Sequence, residues 1–121
     1  MARTALTKYT ALGAFPSLPL GATTADLTLA AADTVNKNQC AATGNDLIIA
    51  YNSGVSAYTV TVTSAAAANT KRTGDITTYS VAAGAISVFG PFSKNGWMQT
   101  DGNLYFEANN AAVKFAVVAL S

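Results

Sequence analysis

The sharpest alternation of hydrophobic and polar positions runs over Ala57–Thr63, where Tyr58, Val60 and Val62 fall on one side and Thr59, Thr61 and Thr63 on the other. A period of two puts successive side chains on opposite faces of a pleated strand, so this segment is predicted as a half-buried β-strand. Leu47–Tyr51, just before it, is apolar throughout, which predicts a strand covered on both faces. Asn52-Ser53-Gly54 separates the two as a turn. Further on, Ile76–Val81 and Ala85–Phe89 are β-patterned runs joined by the short, Gly-bearing link Ala82–Gly84, which predicts a hairpin closed off by Gly90-Pro91. Ser93-Lys94-Asn95-Gly96 is another turn, Trp97–Gln99 a short stretch, and Asp101-Gly102 a primed-type turn leading into Leu104–Ala108. Asn109-Asn110 then turns the chain into Val113–Leu120. In that last strand Val113, Phe115 and Val117 share one face, and Lys114, Ala116, Val118 and Leu120 the other. Both faces are apolar apart from Lys114, so the strand is expected to be central or covered by another chain.

The N-terminal part follows a different pattern. Met1–Ala25 carries Gly13, Pro16, Pro19 and Gly21 among scattered apolar residues. Proline fixes φ and removes a backbone donor, so this stretch is no central strand or continuous helix. It is expected to be an extended arm with Phe15, Leu18 and Leu20 as apolar contacts, lying on its own domain, a sister subunit or another partner. The same glycine and prolines interrupt the apolar run that would otherwise imitate a secretory leader. Asp26–Ala32 alternates weakly and is predicted as a first strand. Asp33–Asn45 is polar and ends in the turn Thr43-Gly44-Asn45, and Ser64–Lys71 lacks large apolar anchors and is expected to be a loop. Short strands at roughly 8–12-residue spacing imply an all-β fold, an antiparallel β-sandwich of jelly-roll or immunoglobulin-like type. The organisation is therefore an arm over 1–25 and a sandwich domain over 26–121.

Composition sharpens this. The chain has 121 residues, enough for one domain with one core, and half are hydrophobic, yet only 11% are charged. The usual charged share is about 25%. A surface so poor in charge lacks the repulsion that keeps free monomers apart, so part of it is expected to be covered in an assembly. The net charge is +1 and Lys71-Arg72 is the one basic pair, so no electrostatic footprint for nucleic acid exists. No window approaches the roughly 18 apolar residues of a membrane-spanning helix.

Candidate chemistry is sparse. There is no histidine, which removes Ser–His–Asp catalysis, and the lone Cys40 has neither a disulfide partner nor an imidazole to activate it. The six carboxylates, Asp26, Asp33, Asp46, Asp75, Asp101 and Glu107, sit mostly at turns and strand starts, where Asp caps backbone donors. No Asp-x-Asp-x-Asp run for calcium and no Gly-rich phosphate loop occurs, so no metal or cofactor is expected. Thr73-Gly74-Asp75 reads as a turn opening a strand. Trp97, Tyr79 and Tyr105 are the aromatics available for sugar stacking, which keeps a carbohydrate-binding module as an alternative.

The ordered series Gly44–Ile49, Asn52-Ser53-Gly54, Thr59–Thr63, Arg72–Ile76, Val81–Gly84, Val88–Phe92 and Asp101–Tyr105, followed by the Val-rich last strand, resembles small capsid decoration (cement) proteins of tailed bacteriophages. The resemblance covers roughly residues 45–120 and leaves 1–33 outside. It implies a non-enzymatic structural protein that joins the outer surface of an assembled head, often as a homotrimer, and clamps adjacent capsomers of the major capsid protein. Another virion part, such as a neck, tail or fibre-base protein, is the nearest rival. On this reading the partner-binding residues are expected to be Phe15, Leu18 and Leu20 of the arm, together with Trp97, Val118 and Leu120 of the sandwich; neither nucleic acid nor a membrane is a partner.

Overall fold

A computed structural model of the chain describes residues 3–11, 26–65, 76–94 and 96–120. Phe15, Leu18 and Leu20 lie outside the described residues, as does Thr73-Gly74-Asp75. The described residues form ten strands and no helix: β1 (Thr4–Ala5), β2 (Lys8–Thr10), β3 (Ala30–Ala31), β4 (Asn38–Ala41), β5 (Asp46–Asn52), β6 (Tyr58–Thr63), β7 (Ile76–Val81), β8 (Ile86–Phe92), β9 (Asn103–Ala108) and β10 (Val113–Ala119). They make two sheets of five. The first runs β1-β4-β9-β6-β7. The second runs β2-β10-β5-β8, with β3 also paired to β10.

The core lies between the sheets, where period-two alternation places it. Val60 and Val62 of β6 and Leu104 and Phe106 of β9 face Ile48 and Ala50 of β5 and Val113, Phe115 and Val117 of β10, all of them buried. Phe106 and Phe115 meet edge to face across the gap, with ring centroids 4.9 Å apart. The sandwich-like, all-β architecture expected from the spacing is present.

The expected hairpin is not. Val81 of β7 pairs with Tyr58 of β6, whereas Ile86 of β8 pairs with Tyr51 of β5. The link after Val81 therefore carries the chain from one sheet to the other, with Gly84 at φ +76° donating its N–H to Asn52 O at 2.8 Å. A short Gly-bearing link between two β runs fits a corner between stacked sheets as well as a hairpin. What decides is that each run finds its longer partner in a different sheet. The within-sheet hairpin is β6–β7.

Three smaller expectations also change. Asp26–Ala32 contributes only the two residues of β3, and the polar stretch after it contains the unexpected β4. The sheets are mixed rather than purely antiparallel, because β1 pairs parallel to β4 and β2 parallel to β10. Both parallel strands come from the start of the chain, where residues 3–11 cross from one sheet to the other and Leu6 packs against the core. This part of the expected arm lies on its own domain.

Candidate functional site

Polar contacts pin residues 3–11 in place. The Arg3 guanidinium donates to Asn38 O at 3.1 Å and sits 4.2 Å from the centroid of the Tyr105 ring. The Thr4 hydroxyl donates to Asp33. Lys8 Nζ lies 3.0 Å from Asp46 Oδ1 and also donates to Ala41 O, so one ammonium ties β2 to both sheets. Burial pushes the Asp46 carboxyl up, but the Thr43 hydroxyl and N–H and the Lys8 ammonium outweigh it and hold it below the usual range. Asp33 is brought down to about 2, chiefly by the Thr4 hydroxyl and then by the Asn36 N–H. The Tyr105 hydroxyl donates to Asp101, which lowers the acid and raises the phenol. Asp33, Asp46 and Asp101 are thus engaged in local structure, and Glu107 is paired with Lys37. Cys40 is buried, and that burial pushes its thiol up to about 12. Among the described residues no three His, Cys, Asp or Glu side chains gather as a metal site.

The aromatic candidates do not share a face. Trp97 is half-buried and packs edge-on against Phe92, centroids 4.7 Å apart, at the rim of the core. Tyr79 meets Phe89 edge-on at 5.4 Å, between the edge strands β7 and β8. Tyr105 lies on the outside of the first sheet under Arg3.

What stands out is the contrast between the two outward faces. Outside the first sheet the register aligns Ala5, Gln39, Tyr105 and Thr63 in one row, Glu107 and Thr61 in the next, and Thr59 with Ser80 beyond, polar in every position but Ala5. Outside the second sheet it aligns Tyr9, Val118 and Leu47, then Ala116, Ile49 and Val88, then Lys114, Tyr51 and Ile86. Lys114 is the single charge in those rows. Ile86 is 63% and Val88 59% exposed, although both sit in a regular strand. At ~4.8 Å between strands and ~3.3 Å per residue, the three rows span roughly 15 by 15 Å. Of these residues Ile86 and Val88 are exposed, Tyr9, Leu47, Ile49, Tyr51, Lys114 and Val118 are half-buried, and Ala116 is buried.

Of the residues expected from the sequence to bind a partner, Val118 lies on this face. Leu120 follows just past β10, its N–H bonded to Asn45 O at 2.9 Å, and Trp97 sits against the core instead. Ile49, Tyr51, Ile86 and Val88 were not expected. The signal for them lay in the two apolar-on-both-faces segments, Leu47–Tyr51 and Val113–Leu120, which pair along their length. Comparison with protein-family models, curated proteins and solved structures finds no match to this chain.

Proposed function

We propose that this protein is a structural virion protein, a decoration or cement protein that lays the apolar outer face of β10, β5 and β8 on the outside of an assembled phage head. The contrast between that face and the polar face opposite carries the reading. One side is suited to contact and the other to water, in a chain with very few surface charges. The sandwich is further read as a jelly roll. The orders β3-β10-β5-β8 and β4-β9-β6-β7 are those of two interleaved Greek keys, an architecture frequent in capsid proteins. An immunoglobulin-like sandwich is disfavoured, because there the first two strands share a sheet, whereas β3 and β4 do not.

The footprint of these rows, part of it already covered, is at most about a third of the ~800 Å² per partner of a standard interface, so a single contact is weak. Decoration proteins of this kind act by number. Trimerisation engages three contacts at one lattice point, and a ligand that binds the assembled shell but not its separated parts stabilises it by RT ln(1 + [L]/Kd) per site. On this reading the major capsid protein is the partner, no cofactor takes part, and Phe15, Leu18 and Leu20 add apolar contacts.

The test is binding to purified heads that lack the protein. Ile49→Lys and Val88→Lys are expected to weaken binding at least tenfold, while Thr61→Lys on the polar face leaves it unchanged. A Phe15→Ser/Leu18→Ser/Leu20→Ser variant reports the arm separately. Binding indifferent to both outer-face lysines would overturn the proposed orientation, and failure of the parent protein to bind any head would overturn the function.

A further inference from the structure

The edges of the two sheets are treated unequally. β1, β2 and β3 are only two or three residues long, and β7 is interrupted by a register shift beside Val60 and by Thr78 at φ +46°. Short strands and bulges are the usual ways of blocking unwanted pairing at an edge. β8 has a register shift of its own, with Gly90 at φ +105° and Pro91, at its C-terminal end, but neither device over Ile86–Phe89. Its register with β5 is unbroken there, it carries no charge, and among the described residues it pairs with β5 alone.

The ladder shows which groups face outward. Asn52 donates to Ala85 O at 3.0 Å, so Asn52–Ala85, Ala50–Ser87 and Ile48–Phe89 are the hydrogen-bonded pairs of this antiparallel register. The opposite edge of β5 agrees: Ser53 donates to Ala112 O and Leu120 to Asn45 O, which turns the odd-numbered N–H groups of β5 toward β10. The backbone N–H and C=O of Ile86 and Val88 therefore point away from β5, at an edge with no strand partner among the described residues, and the same two residues carry the exposed side chains.

We propose that β8 pairs edge to edge with β8 of a second copy, antiparallel about a two-fold axis that passes between the two Ser87 residues. In that register Ile86 of each copy forms a hydrogen-bonded pair with Val88 of the other, each pair exchanging two N–H···O bonds. On the outer face Ile86 and Val88 are then cross-strand neighbours, and no like charges meet, which is what makes a self-match possible. The two second sheets merge into one, and the apolar faces become continuous and twice as large. This inference stands on the geometry of the edge and does not rest on the capsid reading. A four-residue edge is about 13 Å long and buries far less than the ~800 Å² per partner of a stable dimer, so the pairing is weak in dilute solution and needs a trap.

Ser87→Cys supplies the trap. At the centre of the two-fold register the two residues form a non-hydrogen-bonded pair with Cα atoms ~4.5 Å apart, within disulfide range. Under mild oxidation of the full-length protein, S87C is expected to give disulfide-linked dimer at least tenfold faster than V55C, a control at an exposed turn residue. The buried Cys40 contributes to neither. Adding Val88→Pro, which removes an N–H aimed at the partner and none used by β5, is expected to cut the S87C rate at least tenfold. Val88→Lys, which sets two like charges on a cross-strand diagonal, should cut it in a salt-dependent way, and thermal melts confirm that each variant is folded. Crosslinking of S87C no faster than V55C overturns the proposal, whether the edge is then idle or taken by a strand from another protein. A rate that Val88→Pro and Val88→Lys both leave unchanged overturns it as well.

Discussion

Replacing Lys8 by Met is expected to destabilise the fold by about 2–4 kcal/mol at pH 7. The Asp46 side chain is 0% and the Lys8 side chain 16% exposed, with 3.0 Å between charges. Removing one partner of a buried pair commonly costs about 3–5 kcal/mol because the other charge stays buried and unmatched. Here the Thr43 hydroxyl and N–H still hold the carboxylate and solvent reaches part of the lysine, which lowers the figure. With an unfolding entropy of ~2.1 cal/mol/K per residue, the expected loss corresponds to a Tm drop of roughly 8–16 °C for a chain of this size. The pH dependence has a definite sign. The Asp46 carboxyl lies below its ordinary value in the folded state, so its contribution is present above the usual carboxylate range and is lost as pH falls through the folded value. In Lys8→Met burial is less opposed and the carboxyl moves up. Protonating it then removes the unmatched charge, and the gap between parent and variant narrows as pH is lowered toward the acid range. Urea denaturation of parent, Lys8→Met, Asp46→Asn and the double variant at several pH values provides the check. A gap below about 0.5 kcal/mol at pH 7, or one that does not change with pH, would refute the claim that residues 3–11 are an integral part of the sandwich.

Other outcomes follow from the packing. Phe106→Ala removes a fully buried ring that meets Phe115, and is expected to cost about 3–5 kcal/mol, read as a lowered urea midpoint. Gly90→Ala places a Cβ 2.7 Å from Asp46 O at a backbone φ of +105°, and is expected to lower stability by at least ~2 kcal/mol in the same assay. The Cys40 thiol, buried and raised to about 12, is expected to react with an aromatic disulfide reagent only as fast as the protein opens, so its rate should rise steeply across the denaturation transition.

The apolar outer face of the second sheet is half legible in the sequence. Leu47–Tyr51 and Val113–Leu120 read as strands covered on both sides, and Val118 in the second of them is among the contact residues expected from the resemblance. Ile86 and Val88 were missed because Ile76–Val81 and Ala85–Phe89 read as one hairpin, which would have placed them beside Ser80 and Thr78 rather than beside Ile49 and Tyr51. Trp97, expected as a contact residue, packs its ring against Phe92 at the rim of the core and stays half-buried.

The chain by itself determined the strands and much of the inside. Alternation with period two is a local property, and Val60, Val62, Phe115 and Val117 face inward whichever neighbours they acquire. It also determined that no histidine and no second thiol is at hand. Strand pairing was left to the tertiary structure, because a pleated run presents equivalent backbone groups along both edges and the choice between neighbours is made by the summed packing of two whole sheets. That choice brought Ile86 and Val88 beside Ile49 and Tyr51, left β8 at an edge with β5 as its one strand partner among the described residues, and drew residues 3–11 into both sheets through Lys8 and the buried Asp46.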